Sequence, residues 1–316
     1  MTPVIHMESS ALLMGSCFSE HIGQRLERAL VNVDLNPFGA LYNPMVIAEG
    51  LQRLIKNEFI KEDEIILNNG LYHSWSHHGR FSGSNKSEVL DTMNDRMEKA
   101  NRLLGTTHTT VLITFGSAHA YMRGDRLVAN CHKYPASEFE QVLLPLEEMV
   151  EQWKQTLDQL FSFNGDLKVV FTVSPVRYLK DGIIANNRSK SRLIELSHIL
   201  KAYSERVQYF PAFEIVNDEL RDYRFFEKDM THPNEMAVDY VWRRFIDTCF
   251  DDQRKEMHKE WEALERSAVH RSLHPGTGAD LAFKESTLQK LNAFALAYSM
   301  ENNKYLEELK RNLNDG

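Results

Sequence analysis

A hydroxyl and a thiol stand side by side at Ser16 and Cys17, directly after a short apolar run, Ala11 to Met14, that stops at Gly15. Either side chain can attack an acyl carbon once a base takes its proton. A base of the right kind lies far along the chain, in Asp229-Met230-Thr231-His232-Pro233. An Asp three residues before a His, across one turn, can accept the Nδ1 proton of the imidazole and leave Nε2 free as a general base. The same residues also read as a plain helix start, with His232 near the N-cap, Pro233 at the first helical position and Glu235 in the first turn.

The elements that must position these groups follow from the periodicity. Apolar or β-branched runs at Ala11 to Met14, Val31 to Leu35, Thr110 to Phe115, Leu167 to Val173 and Val207 to Phe210 read as five strands. Helical patterns alternate with them, including Met45 to Ile55, Ser87 to Leu104, a long stripe from Ser137 through Phe139, Val142 and Leu160, and Ser189 to Arg206. Such alternation favours a parallel sheet covered on both faces, whose ligands bind at the carboxyl ends of the strands. Residues just after the strands are accordingly polar: Asn36 and Gly39, then Gly116, Ser117 and His119, then Ser174 and Arg177.

The 316 residues are 42% hydrophobic, enough for a sizeable core. With 37 basic against 45 acidic residues the net charge is −8, so nucleic acid is not expected as a partner. Three scattered cysteines, Cys17, Cys131 and Cys249, are the wrong arithmetic for a disulfide framework and point to a reducing compartment. No apolar run approaches the roughly 18 residues of a membrane span, and Met1 to Ser10 has no signal-peptide pattern, so a cytoplasmic protein without a membrane partner is expected. The chain divides into an α/β unit over residues 1–250, with a loop insertion at about 57–87, and a charged helical extension over 251–316. In the extension, Leu281, Leu288 and Ala295 recur in steps of seven beside Leu291 and Tyr298. Two or three heptads are short for a coiled coil, so packing back on the domain is favoured over a homodimer through these helices.

Several ordered motifs resemble the GSCFA-domain family: Met14-Gly15-Ser16-Cys17-Phe18-Ser19-Glu20, Asn36-Pro37-Phe38-Gly39-Ala40-Leu41-Tyr42-Asn43-Pro44, Asn130-Cys131-His132-Lys133, Thr172-Val173-Ser174-Pro175-Val176-Arg177, and Asp222 to Phe225 with Asp229 to Pro233. The namesake motif reads GSCFS here, with Ser19 in place of Ala, and the likeness covers about residues 10–250. That family is grouped with the SGNH hydrolases. The resemblance therefore implies a flavodoxin-like three-layer α/β/α fold with a five-stranded parallel sheet, and esterase or acyltransferase chemistry through a nucleophile and the D-x-x-H element. Laid on the superfamily's first block, Gly-Asp-Ser, Cys17 takes the serine position and Ser16 the aspartate position. Cys17 at a helix N-terminus would have a stabilised thiolate while Ser16 suits a cap, though a small buried cysteine is also common. The second block implies the Gly39 N–H as an oxyanion donor; the Asn of the third is absent from Gly116-Ser117-Ala118, and Asn130 is the candidate replacement.

The run His73-Ser74-Trp75-Ser76-His77-His78-Gly79 puts two histidines four apart, but no H-E-x-x-H or paired-Cys motif accompanies them, so neither a metal nor a cofactor is expected. A loop lining the pocket is the better reading, with Trp75 stacking on substrate and His78 and His132 beside it. Arg177 would bind a carboxylate or phosphate, or form an ion pair. The sequence is thus read as an acyl hydrolase acting on the O-ester of a sugar or other small polar molecule, through Cys17 or Ser16 with His232 and Asp229. A CoA-dependent acyltransferase and a non-catalytic binding protein that kept the fold are the alternatives.

Overall fold

The computed structural model describes residues 2–315. All five expected strands form one parallel sheet: β1 (Ser10–Gly15), β2 (Asn32–Leu35), β5 (Thr109–Phe115), β9 (Lys168–Val173) and β10 (Val207–Tyr209), in the order β10-β9-β5-β1-β2. Counting only these strands the order is 2-1-3-4-5, the flavodoxin-like arrangement, whose switch point falls between β1 and β5.

Period-2 alternation divides the strand side chains between two cores. Leu12, Met14, Val111, Ile113, Phe115 and Phe171 pack with helices α2 (Pro44–Lys56), α3 (Lys86–Leu104), α4 (Leu146–Phe163) and α5 (Gly182–Tyr203). Ala11, Leu13, Leu112 and Val170 pack on the other face with α1 (Cys17–Arg28), with α6 (Ala212–Glu214) and the π-helical turn Ile215–Leu220 that continues it, and with α7 (Glu235–Cys249). Both faces being covered, the strands are nearly continuous in apolar residues, which is why they were legible as runs.

The sequence misassigns one segment. The stripe from Ser137 suggests helix, yet Glu140–Leu143 is strand β8, antiparallel to β6 (His119–Arg123), which also pairs with β7 (Arg126–Val128). Pro145 is the reason: it disfavours helical geometry at Leu144, so α4 starts only at Leu146, and four residues of apolar pattern fit either period. The loop insertion is likewise structured. It holds the hairpin β3 (Ile65–Asn68) and β4 (Leu71–Ser74), turned at Asn69 and Gly70, both at positive φ as a two-residue hairpin turn requires.

Beyond α7 the chain forms α8 (Asp252–Ala268), α9 (Gly278–Ala297) and α10 (Lys304–Asp315), the last not anticipated. These pack on one another and on Leu30 and Met7 of the α/β unit. Buried Arg254 donates to Ala29 O (2.7 Å) and Met7 O (3.2 Å), and Trp261 Nε1 donates to Arg28 O (2.6 Å). A guanidinium and an indole thus satisfy carbonyls at the C-terminal end of α1 and complement its dipole. Among the described residues no helix is long and apolar enough to cross a membrane.

Candidate active site

Gly15 ends β1 at φ +146, and a Cβ there would lie 2.2 Å from Thr114 O on β5. Only glycine allows this approach, which lets Ser16 N–H donate to Thr114 O (3.2 Å) while Gly15 itself receives Leu41 N–H and donates to Asn36 Oδ1 (3.0 Å). Three strand ends are stitched together at the switch point, and Cys17 follows as the first residue of α1. The N–H groups of Cys17 and Phe18, free donors of the helix N-terminus, favour its thiolate form. Burial, aided by the Glu20 carboxylate, nevertheless holds the thiol above its ordinary value, with the two N–H groups and the Lys190 ammonium pulling the other way. At rest it is therefore a half-buried thiol that needs a base. Ser16 is only 1% exposed, and among the described residues its hydroxyl has no partner and makes no capping bond, contrary to expectation. Of the two adjacent candidates, Cys17 is the accessible one.

The Asp229–His232 pair adopts the expected geometry. Asp229 Oδ1 accepts the N–H groups of Thr231 (2.9 Å) and His232 (3.0 Å), and Oδ2 lies 2.6 Å from His232 Nδ1. These bonds hold the carboxyl far below its ordinary range, so it stays an acceptor and fixes the Nδ1–H tautomer. The helix itself is capped later, by Asn234, which accepts from Ala237 N (3.2 Å); Pro233 lies before the helix and His232 two residues outside it. Two ties bring the turn to the carboxyl edge of the sheet. Arg177 N–H, past the end of β9, donates to Thr231 O (3.3 Å), and Arg25 on α1 pairs with Glu235 and with Asp239 (2.7 Å) on α7. His21, one helical turn after Cys17 on the same face of α1, is held below its ordinary value by burial and by Arg25, with Glu235 of α7 acting the other way.

Other expected roles do not fit the geometry. Gly39 (φ +80) has its N–H committed to Asn36 O (2.8 Å) and its Cα pressed on His78, where a Cβ would lie 2.3 Å from His78 Cβ; it shapes a turn rather than offering a free oxyanion donor. Asn130 spends its carbonyl oxygen on His132 N–H (2.8 Å), and nothing ties it to Cys17. Trp75 is 4% exposed, packed against the Arg123 guanidinium (4.9 Å to the ring centre), Tyr134 (5.0 Å) and Phe139 (5.9 Å), and the cavity it lines, beside α2, includes neither Cys17 nor His232. His132 is buried against the His73 ring (4.4 Å) with Nε2 at 2.8 Å from Ser74 O. Arg177 forms no ion pair among the described residues; its Nε donates to Asn217 and its head lies over Phe226, bracing the His232 turn. His78 is packed on Gly39, and burial and Arg80 hold its imidazole below its ordinary value. His73 and His77 sit on strand β4 and the turn after it, not on a shared helical face. Two cavities, of about 230 and 630 Å³, lie between α2 and the β6–β7 hairpin, and neither is lined by Cys17 or His232.

Two buried imidazoles make acid stability predictable. His77 is fully buried between Phe38 and Phe81, and burial pushes it down to about 3; His132 is pushed down to about 4 for the same reason. Both stay neutral in the fold while the unfolded chain protonates near 6.5, so stability is complete above that pH and declines as pH falls toward 4 and then 3. The urea midpoint is expected to drop between pH 7 and 5, and less so for His77→Leu. Equal midpoints at the two pH values would contradict it.

Sequence reasoning missed Lys190, a fully buried lysine whose Nζ donates to Gly116 O (2.8 Å) and Ser174 O (2.7 Å), at the ends of β5 and β9. The signal was present: Asn186, Lys190, Leu193, Ser197 and Leu200 form the buried stripe of α5, so a lysine sits where the periodicity calls for an apolar residue.

A family model, that of the GSCFA family, matches residues 10–245. The chain belongs to the GSCFA family. No curated protein matches it. The match takes in all five sheet strands and the Asp229–His232 turn and ends within α7, leaving α8 to α10 outside. In this GSCFA chain the namesake residues have separate physical tasks. Gly15 permits the backbone contact with β5, Ser16 is the N-cap residue, Cys17 carries the thiol, and Phe18 is buried among Leu13, Ile22 and Phe245. Ser19, standing for the alanine, is buried with its hydroxyl unpartnered, in space suited to a small residue.

Proposed function

We propose that this GSCFA protein is an acyl hydrolase of the SGNH type, with Cys17 as nucleophile and His232, held by Asp229, as the group that exchanges protons with substrate. The observation that carries the reading is the Asp229 carboxylate at 2.6 Å from His232 Nδ1, which leaves Nε2 without a hydrogen-bond partner among the described residues, at the carboxyl edge that also bears Cys17. The 2-1-3-4-5 strand order supports the superfamily assignment.

In this reading Cys17 gives its S–H proton to His232 Nε2, and Sγ attacks the acyl carbon of an O-ester of a sugar or similar polar molecule. The carbonyl oxygen becomes an oxyanion facing the N–H groups at the start of α1. The C–O bond then breaks, His232 protonates the departing alkoxide, and an S-acyl enzyme remains. His232 next takes a proton from water, which attacks the thioester and releases the acid. A thioester exchanges readily with another thiol, so CoA as donor is the second reading that Cys17 supports. Three unpaired thiols favour a reducing compartment and so a cytoplasmic location.

Short-chain p-nitrophenyl esters test this. A burst of nitrophenolate with an acyl mass on the Cys17 peptide is expected. His232→Ala should lower turnover about 10²- to 10⁴-fold. Unchanged turnover in His232→Ala would overturn the triad, and faster loss of the acyl mass to added CoA than to water would turn the reading toward acyl transfer.

A further inference from the structure

In a sheet of this strand order, ligands bind outside the carboxyl ends of the strands at the switch point, here between β1 and β5. One aromatic side chain stands there. Leu41 N–H donates to Gly15 O (2.9 Å), and Tyr42 O accepts both Gly116 N–H (2.9 Å) and Ser117 N–H (3.0 Å), so this backbone is pinned to the ends of both strands. Asn43 fixes the next residue: its side chain accepts from Met45 N–H (2.8 Å) at the start of α2 and donates to His119 O (3.1 Å). The ring lies against Gly116, where a Cβ would come within 3.0 Å of Tyr42 Cδ1, 3.2 Å of Tyr42 Cβ and 3.3 Å of Ser16 Cβ. The missing side chain of Gly116 thus lets the ring approach the turn that carries Cys17. Although anchored in this way, Tyr42 is 43% exposed, whereas Trp75, the aromatic that the sequence favoured for stacking, is buried elsewhere.

Polar groups stand beside the same turn. Ser117, the residue after Gly116, is half-buried and its hydroxyl accepts His119 N–H (3.1 Å). Glu20, one helical turn after Cys17, is half-buried as well. Its carboxylate accepts from Arg80 (3.1 Å) and from the side-chain amide of Asn36 (3.5 Å), the residue that also receives Gly15 N–H.

We propose that Tyr42 is the platform on which a pyranose ring of the substrate stacks, with the ester directed toward Cys17. The inference rests on the hydrolase reading and names the sugar form and the side chain that would select it. A pyranose has a flat face of C–H groups that packs on an aromatic ring, and hydroxyls around its edge that need donors and acceptors. Tyr42 supplies the face, and Ser117 and Glu20 supply a hydroxyl and a carboxylate nearby. An aliphatic acyl chain in the same place would cover these two polar groups without giving them partners, which counts against it as the occupant. Because the backbone on both sides of the ring is already fixed, little order is lost on binding.

The test is NMR titration of the full chain carrying isotope-labelled tyrosine, with the methyl pyranosides of glucose, galactose, mannose and xylose and with adenosine. The ring signals of Tyr42, identified by their loss in Tyr42→Phe, are expected to shift with at least one pyranoside. Saturation transfer to that sugar's C–H protons should persist in Tyr42→Phe, and Tyr42→Ala should weaken its affinity by about tenfold. A folded Tyr42→Ala with wild-type affinity would overturn the proposal. So would wild-type Tyr42 signals that no pyranoside moves, or that adenosine moves at lower concentration than any sugar, whether or not Tyr42→Ala folds. Binding needs no turnover: ester cleavage retained in Cys17→Ala would sink the hydrolase reading through Cys17, while the Tyr42 signals judge the platform separately.

Discussion

Cys17→Ala is expected to lower ester cleavage by about four orders of magnitude or more, with the melting temperature little changed. Removal of a nucleophile eliminates the covalent path, and residual turnover comes from binding and oxyanion contacts alone. The half-buried thiol fills little core space, so the fold has little to lose. Ser16→Ala is the informative partner. Its hydroxyl is buried and has no hydrogen bond, so truncation costs within about 1 kcal/mol and leaves activity near wild type. Cys17→Ser should remain poor, because an alcohol is far less acidic than a thiol and gains less from a helix N-terminus. Steady-state rates with p-nitrophenyl acetate decide among these outcomes; activity lost in Ser16→Ala and kept in Cys17→Ala would reverse the assignment.

Gly15→Ala should produce the largest structural effect of any single methyl group in the site. The added carbon would lie 2.2 Å from Thr114 O, 2.8 Å from Thr114 N and 2.9 Å from Thr114 C, all backbone of the adjacent strand, at a φ of +146 that side-chain-bearing residues rarely adopt. No rotamer relieves this contact, so β1 and β5 must part and the Ser16 N–H to Thr114 O bond must stretch or break. A cost of roughly 3 kcal/mol is expected, combining overpacking with backbone strain. Cys17 moves with the turn, and a displacement of about 1 Å is enough to lose on the order of 10² in rate even in molecules that stay folded. Chemical denaturation and turnover should therefore fall together. Gly79→Ala, with nothing within 4 Å of the added carbon, is the control that should change neither.

The sheet was readable because burial on both faces leaves long apolar runs, and the helices because their stripes repeat every three to four residues. Where these signals shorten, sequence reading failed. Four residues before Pro145 fitted a helix as well as a strand, and Glu140–Leu143 became a strand because β6 offered it a partner. A polar, aromatic loop fits the lining of a substrate pocket, yet Arg123, Tyr134 and the β3–β4 hairpin bury Trp75 and His132 away from Cys17 and His232, and the cavity Trp75 lines is a separate one.

The site divides in the same way. Asp229 and His232 are three residues apart, so their hydrogen bond depends on local backbone geometry, and the sequence alone determined it, together with the strand, glycine and helix start that present Cys17. Which of two neighbouring nucleophiles is accessible was decided only in the folded chain, where β5 covers Ser16 and leaves Cys17 half open. Lys190 was decided there too. It is 173 positions from Cys17 along the chain, and two sheet carbonyls from different strands hold its amine in place. Contacts within one turn are dictated by backbone dihedrals, whereas a burial or a pairing across the sheet exists only once the strands have assembled.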